Sequence, residues 1–219
     1  MPHLDSGDSI TDFLIAEYNA LQDRAISLQQ ARSSRINFFL VVVAAVGAGS
    51  ANLVGSQGFH ISQYQYLPVI GLVAFSLLTL GFFTLQQSID DSVAIVIMYR
   101  RAGRIRLWFV EQDTTIAPYV AFHCGDDHPR MFAPYLAWRG AEAAVLVINT
   151  VLLCAVTLSL VPPVSWLMAA VEIVAATVVG WFLQTGYVRL RLWRAEQRAE
   201  GTVHFPSAEM AERIEPTFG

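Results

Sequence analysis

Glu172 lies deep inside a long apolar stretch. There an ionisable side chain costs about a few kcal/mol on insertion scales, and such groups usually face other protein or a water-filled path. A carboxyl group in that setting can pass a proton or an ion, or it can simply hold two helices together by hydrogen bonding. Its neighbours say which way it points. Ser165, Ala169, Glu172, Ala176 and Gly180 follow one another by three or four residues and so share one helix face. Small side chains on that face permit close helix approach, which puts Glu172 at a helix contact or a pore lining rather than in lipid. Asn149 sits eight residues into the preceding apolar stretch, as Glu172 sits eight residues into its own. Each is then ~12 Å deep from opposite sides, and an antiparallel hairpin would bring them within about 6 Å in height. A hydrogen bond between Asn149 and Glu172 is expected.

The second candidate group is Arg100, Arg101, Arg104 and Arg106. Guanidinium forks match phosphate oxygens, so this cluster suits a phosphate-bearing ligand or an anionic lipid. The plainer alternative is a solvated helix face pairing with Asp90, Asp91 and Glu111. The run His123, Cys124, Gly125, Asp126, Asp127, His128 holds metal-ligand types. Adjacent residues rarely converge on one ion, and Gly-Asp-Asp before His-Pro is ordinary turn chemistry, so no metal is expected. Gly47 to Asn52 superficially looks like a dinucleotide fingerprint but lacks the third glycine and sits in an apolar span; it reads as a helix-packing face. No Ser, His and Asp arrangement, phosphate loop or HExxH is present. One carboxyl group falls short of a catalytic set, so neither an enzyme nor a cofactor is expected.

The elements that carry these residues follow from composition. Of 219 residues 54% are hydrophobic and only 15% charged, which places the chain in the membrane class. Four windows are long enough to cross about 30 Å of hydrocarbon: Ile36 to Leu53, Leu67 to Leu85, Ala141 to Leu160 and Val164 to Gln184. All basic residues are arginine, a usage that fits a GC-rich bacterial genome. Arg24, Arg32 and Arg35 precede the first window, Arg100 to Arg139 lie between the second and third, and Arg189 to Arg213 follow the fourth. The short connections 54–66 and 161–163 carry none. The positive-inside rule then gives an all-α protein with four transmembrane helices, both termini cytoplasmic, in the inner membrane. The acidic, polar start (Asp5, Asp8, Asp12) does not read as a cleaved signal, and Cys124 and Cys154 fall at different depths, which argues against a disulfide. The net charge of −4 and the absence of a basic tail argue against nucleic acid as a partner.

Leu14, Tyr18, Leu21, Ala25 and Leu28 alternate four and three apart with no Gly or Pro between Ser9 and Arg35, which predicts one helix running on into the first span. Ala94, Met98, Ala102, Ile105 and Phe109 make a second stripe after the second span, and the fourth continues through Tyr187, Leu190 and Trp193 to near Gly201. The chain thus divides into a cytoplasmic amphipathic helix (1–35), a first transmembrane hairpin (36–85), a cytoplasmic helix with an aromatic loop (86–140), a second hairpin (141–184) and an arginine-rich tail (185–219). In the loop, the segment from Ala117 to Phe122 is echoed from Ala133 to Trp138, two aromatic turns suited to a headgroup interface. Trp138, Trp166 and Trp181 read as interfacial anchors.

A charged helix feeding the first span, a tight outer hairpin and a second span continuing as a cytoplasmic helix together resemble, over residues ~10 to 110, the SLATT class of small bacterial membrane effectors associated with nucleotide-signalling conflict systems. That core has two spans where this chain has four. Arg104 to Phe109 followed by Ala117-Pro118-Tyr119 also looks like stretches in other bacterial four-span proteins. Neither resemblance transfers a site. Two functions are expected to compete. The first is an oligomeric pore or membrane-perturbing effector built around Glu172 and Asn149. The second is a non-catalytic anchor recruiting a soluble cytoplasmic protein, with the bilayer and further copies of the chain as the other partners.

Overall fold

A computed structural model describes residues 6–55, 63–122, 124, 128–131, 141–161 and 165–202. It is helical, with no strand among the described residues. Four α-helices follow in order: α1 Ser6–Gly55, α2 Gln63–Gln112, α3 Ala141–Leu160 and α4 Trp166–Thr202. Each is long and apolar enough to cross a membrane. In hydrocarbon no water is available to satisfy a backbone N–H or C=O, so a spanning segment satisfies these groups within its own helix. At 50 residues each, α1 and α2 extend to about 75 Å, more than twice the thickness of a hydrocarbon core. Neither breaks where its apolar part ends. A short 3₁₀ turn, Thr114–Tyr119, follows α2, capped by Asp113, whose carboxylate accepts from the Thr115 hydroxyl at 2.7 Å and backbone N–H at 2.9 Å. The Thr115 hydroxyl first, and its N–H second, hold this carboxyl below its ordinary range.

α1 and α2 pack antiparallel. Arg32 meets Ser92, Arg35 meets Gln87 and Tyr18 meets Arg106, so the N-terminal part of α1 lies along the C-terminal part of α2. The seam is the one the spacing predicts: Leu21 and Ala25 are buried, with Leu14, Tyr18 and Leu28 half-buried, and it continues through Arg32 to the buried Ile36 and Phe39. Alternating steps of three and four keep one helix face on the partner over many turns. α3 and α4 form the second antiparallel pair, and α3 also packs closely on α2. The largest core cluster joins Ile36 and Phe39 of α1, Leu85 and Ile89 of α2, Val145 and Leu146 of α3, and Val188 and Leu192 of α4. The helical continuations of α1, α2 and α4 therefore share one end of the bundle.

Two details differ from expectation. On α4 the protected residues past the span are Val188, Leu192 and Ala199, whereas Leu190 and Trp193 are exposed, because the face that meets α2 and α3 is turned by a residue or two from the aromatic one. Residues 47 to 52 of α1 do not pack within the chain: all are exposed, and Gly47 and Gly49 have open space at the Cβ position. The glycine that serves close packing is Gly81 on α2. A Cβ there would overlap Asn149 Oδ1 and come within 2.8 Å of Phe39 Cζ. The three inner helices meet at this point because α2 has no side chain there. Gly81→Ala is expected to lower stability by about 1–3 kcal/mol through overpacking. Gly47→Ala, in open space, should be neutral or slightly stabilising because alanine is the better helix former. Unfolding of both variants in detergent micelles, beside the parent protein, checks the contrast.

Candidate functional site

The polar groups singled out by the sequence fall at three separate places. Along the N-terminal half of α4, Ala169 and Glu172 are half-buried and Ala176 and Gly180 buried, while every residue between them is exposed. The small-residue face therefore turns toward α3, where a Cβ on Gly180 would come within 2.7 Å of Leu153. Asn149 lies elsewhere. It is 1% exposed and points at Gly81 of α2, with its Oδ1 lacking a hydrogen bond.

The expected Asn149 to Glu172 hydrogen bond is not formed, for two reasons. The register of the second hairpin sets Gln184, not Glu172, beside the Asn149 level: Gln184 Nε2 donates to Thr150 Oγ1 at 3.3 Å, and Cys154 Sγ lies 3.4 Å from Thr177 Oγ1. Glu172 is twelve residues from Gln184, about 18 Å along the axis. The two side chains also leave their helices toward different neighbours. Counting depth from window ends misses both effects. Among the described residues, the layer around Phe39, Leu85 and Val145 is an apolar cluster.

The four clustered arginines divide among different partners. Arg100 is 3% exposed; its Nε donates to the Pro129 carbonyl at 3.0 Å and its Nη2 to Glu196 Oε1 at 2.6 Å. Glu196 accepts a further bond from the Met131 backbone N–H at 2.5 Å. A buried cation is tolerable only with such a counter-charge and further acceptors, so Arg100 fastens α2 to α4 and to the segment 129–131 and is closed to a ligand. Arg106 donates to the Tyr18 hydroxyl at 3.1 Å and stands 4.9 Å from the Phe122 ring, joining α2 to α1 and to the end of the 3₁₀ turn. Arg104 is half-buried and engaged within the fold. Arg101 is exposed and faces away from these contacts, toward α4. The cluster is thus not one site, because Arg101 and Arg106, one and six residues on from Arg100, leave the helix on other sides, and only Arg104, four residues on, shares the Arg100 face.

Sequence reasoning missed the layer where the helices leave the apolar region. Arg32 pairs with Glu142 at 2.6 Å and donates to Ser92 Oγ at 2.7 Å, while Ser88 Oγ donates to Glu142 at 3.2 Å. Arg35 pairs with Asp91, and Arg191 with Asp90 at 2.6 Å. A collar of ion pairs links all four helices. Its available signal was Glu142, a carboxylate in the first turn of α3 on the arginine-bearing side of the spans, where it also complements the helix dipole. Of the run from His123 to His128 only Cys124 and His128 lie among the described residues, as do Ala117 to Phe122 of the aromatic repeat; the second copy and Trp138 lie outside them. Trp166 is 81% exposed and Trp181 half-buried at the α3 side.

Glu196→Gln is expected to cost about 3 kcal/mol, because it leaves the Arg100 guanidinium buried without a counter-ion. Adding Arg100→Met should recover part of that loss. A double-mutant cycle on unfolding in micelles checks it, and additive costs would mean that the pair is not coupled.

Comparison with protein-family models, with curated proteins and with solved structures finds no match to this chain.

Proposed function

We propose that this protein is a non-catalytic membrane anchor that presents a rigid helical stalk to a soluble cytoplasmic partner. The observation that carries this reading is the continuation of α1, α2 and α4 past the collar as one braced unit, held by Tyr18 with Arg106 and by Arg100 with Glu196. From Arg35 back to Ser9, α1 extends about 40 Å beyond the apolar region. Outward on this stalk, beyond the apolar region, stand Ile10, Phe13 and Ile26, between 49% and 66% exposed. Large apolar side chains exposed in water suit a protein contact. The arginine bias supports a cytoplasmic stalk in the inner membrane of a bacterial cell.

A second reading, an oligomeric pore or membrane-perturbing effector of the kind the SLATT resemblance implies, draws on Glu172. That carboxyl group is half-buried among small residues and has no hydrogen bond among the described residues. With an apolar cluster at the middle of the single chain, a pore would need several copies to line it.

Ion-flux recording on purified protein in liposomes, comparing the parent with Glu172→Gln at two pH values, separates the two. The anchor reading expects silence from both proteins with verified insertion, together with a hetero-adduct of defined mass from a photocrosslinking residue placed at Phe13 in the native host. Conductance that depends on Glu172, or homo-adducts alone, would overturn it in favour of the oligomeric pore.

A further inference from the structure

Beyond the level of Arg106 the stalk changes character. Tyr18 bonded to Arg106 and Arg32 bonded to Ser92 set the register of α1 against α2, so Phe13 stands level with Glu111. α4 ends at Thr202, six residues past the Glu196 that holds Arg100, so α1 and α2 run on beyond it as a pair. Turned away from the α2 seam, Ile10, Phe13, Ala16 and Ala20 follow one another by three or four residues, share one face of α1 and are all exposed. Asp12 and Glu17 flank this stripe, one on either side, and Asp23 follows it toward the membrane. Glu111 and Asp113 add two more exposed carboxylates at the far end of the stalk. Neither α1 before Arg24 nor the chain from Leu107 to Phe122 contains an arginine or a lysine. Asp12, Glu17, Asp23 and Glu111 form no ion pair among the described residues.

We propose that this face of α1 takes a basic amphipathic helix of the soluble partner, which lies along it as a third helix on the α1 and α2 pair. The proposal rests on the anchor reading above and names the chemistry of its partner. Charge complementarity commits the face to that occupant. Apolar side chains of an incoming helix cover Phe13, Ala16 and Ala20, where the alanines allow close approach, while lysines or arginines beside them meet Asp12 and Glu17. Opposite charges across such a face guide encounter and fix register. Other occupants fit poorly. A second copy would set Asp12 and Glu17 against the same acids, and the chain's own residues 203–219 carry three glutamates against one arginine. The bilayer is out of reach, because Ala16 stands about 28 Å along α1 from Arg35 at the collar.

The test places a photocrosslinking residue at Ala16 of the full chain in its native host and maps the crosslinked peptide of the adduct by mass spectrometry. The expected hetero-adduct joins position 16 to a partner peptide with more Lys and Arg than Asp and Glu. Asp12→Lys with Glu17→Lys, both exposed positions, should lower its yield by about fivefold or more, because like charges then face one another. Arg194→Gln, exposed on α4, should leave the yield unchanged. Raised salt on open membrane fragments carrying the protein without the charge reversal should lower the yield as well, whatever the stability of the double variant. A partner peptide with no excess of base, or a yield indifferent to both charge reversal and salt, would overturn the basic helix and leave the anchor standing. Homo-adducts alone, or no adduct, would sink the anchor reading and this proposal with it.

Discussion

Arg32 and Glu142 meet where the bundle passes from an environment that cannot hydrate charge to one that can. Along α1 the apolar seam reaches Ile36 and, one turn earlier, a guanidinium has to be accommodated between three helices. Its side chain is 19% exposed and that of Glu142 14%, so water alone cannot satisfy either. The pair persists because Ser88 and Ser92 complete the hydrogen bonding that a half-buried ion pair requires. The flanking pairs of Arg35 with Asp91 and Arg191 with Asp90 are more exposed and contribute little energy each. Their effect is geometric: together with Arg32 they fix the height of each helix relative to the others.

From that level the bundle is built by different physics in each direction. Toward the apolar side, lipid is as good a neighbour as leucine, so association rests on close approach and van der Waals contact. Gly81 against Asn149 and Phe39, and Gly180 against Leu153, are the points where backbones come close. Most of the outward surface of α4 there is valine, leucine and phenylalanine, as a lipid-facing surface requires. In the other direction water is present, and burial of apolar surface drives packing as in a soluble protein. There the Leu21 and Ala25 seam, the Met131 and Ala199 cluster and the Arg100 with Glu196 pair make the stalk a continuation of the bundle.

This division bears on function. Most arginines of the stalk are committed to holding helices, which removes Arg100 and Arg106 from the set that could bind a ligand. Glu172, by contrast, belongs to the opposite end of the second hairpin and has no hydrogen bond to the stalk among the described residues.

Period and composition alone determined the four apolar helices, their continuity into polar extensions and the α1 seam, because helix geometry is local: residues three and four apart share a face whatever the rest of the chain does. Of the Ser165 to Gly180 face, Ala169, Glu172, Ala176 and Gly180 turn inward while Ser165 is exposed. Partnership across helices was not legible in this way. The separation of Asn149 from Glu172, the pairing of Arg100 with Glu196, and the joining of Arg32 to Glu142 across more than a hundred residues depend on axial register and helix rotation. Those are set by where Gly81 permits approach and where charges must find one another at the edge of the apolar layer, and only the packed helices decide them.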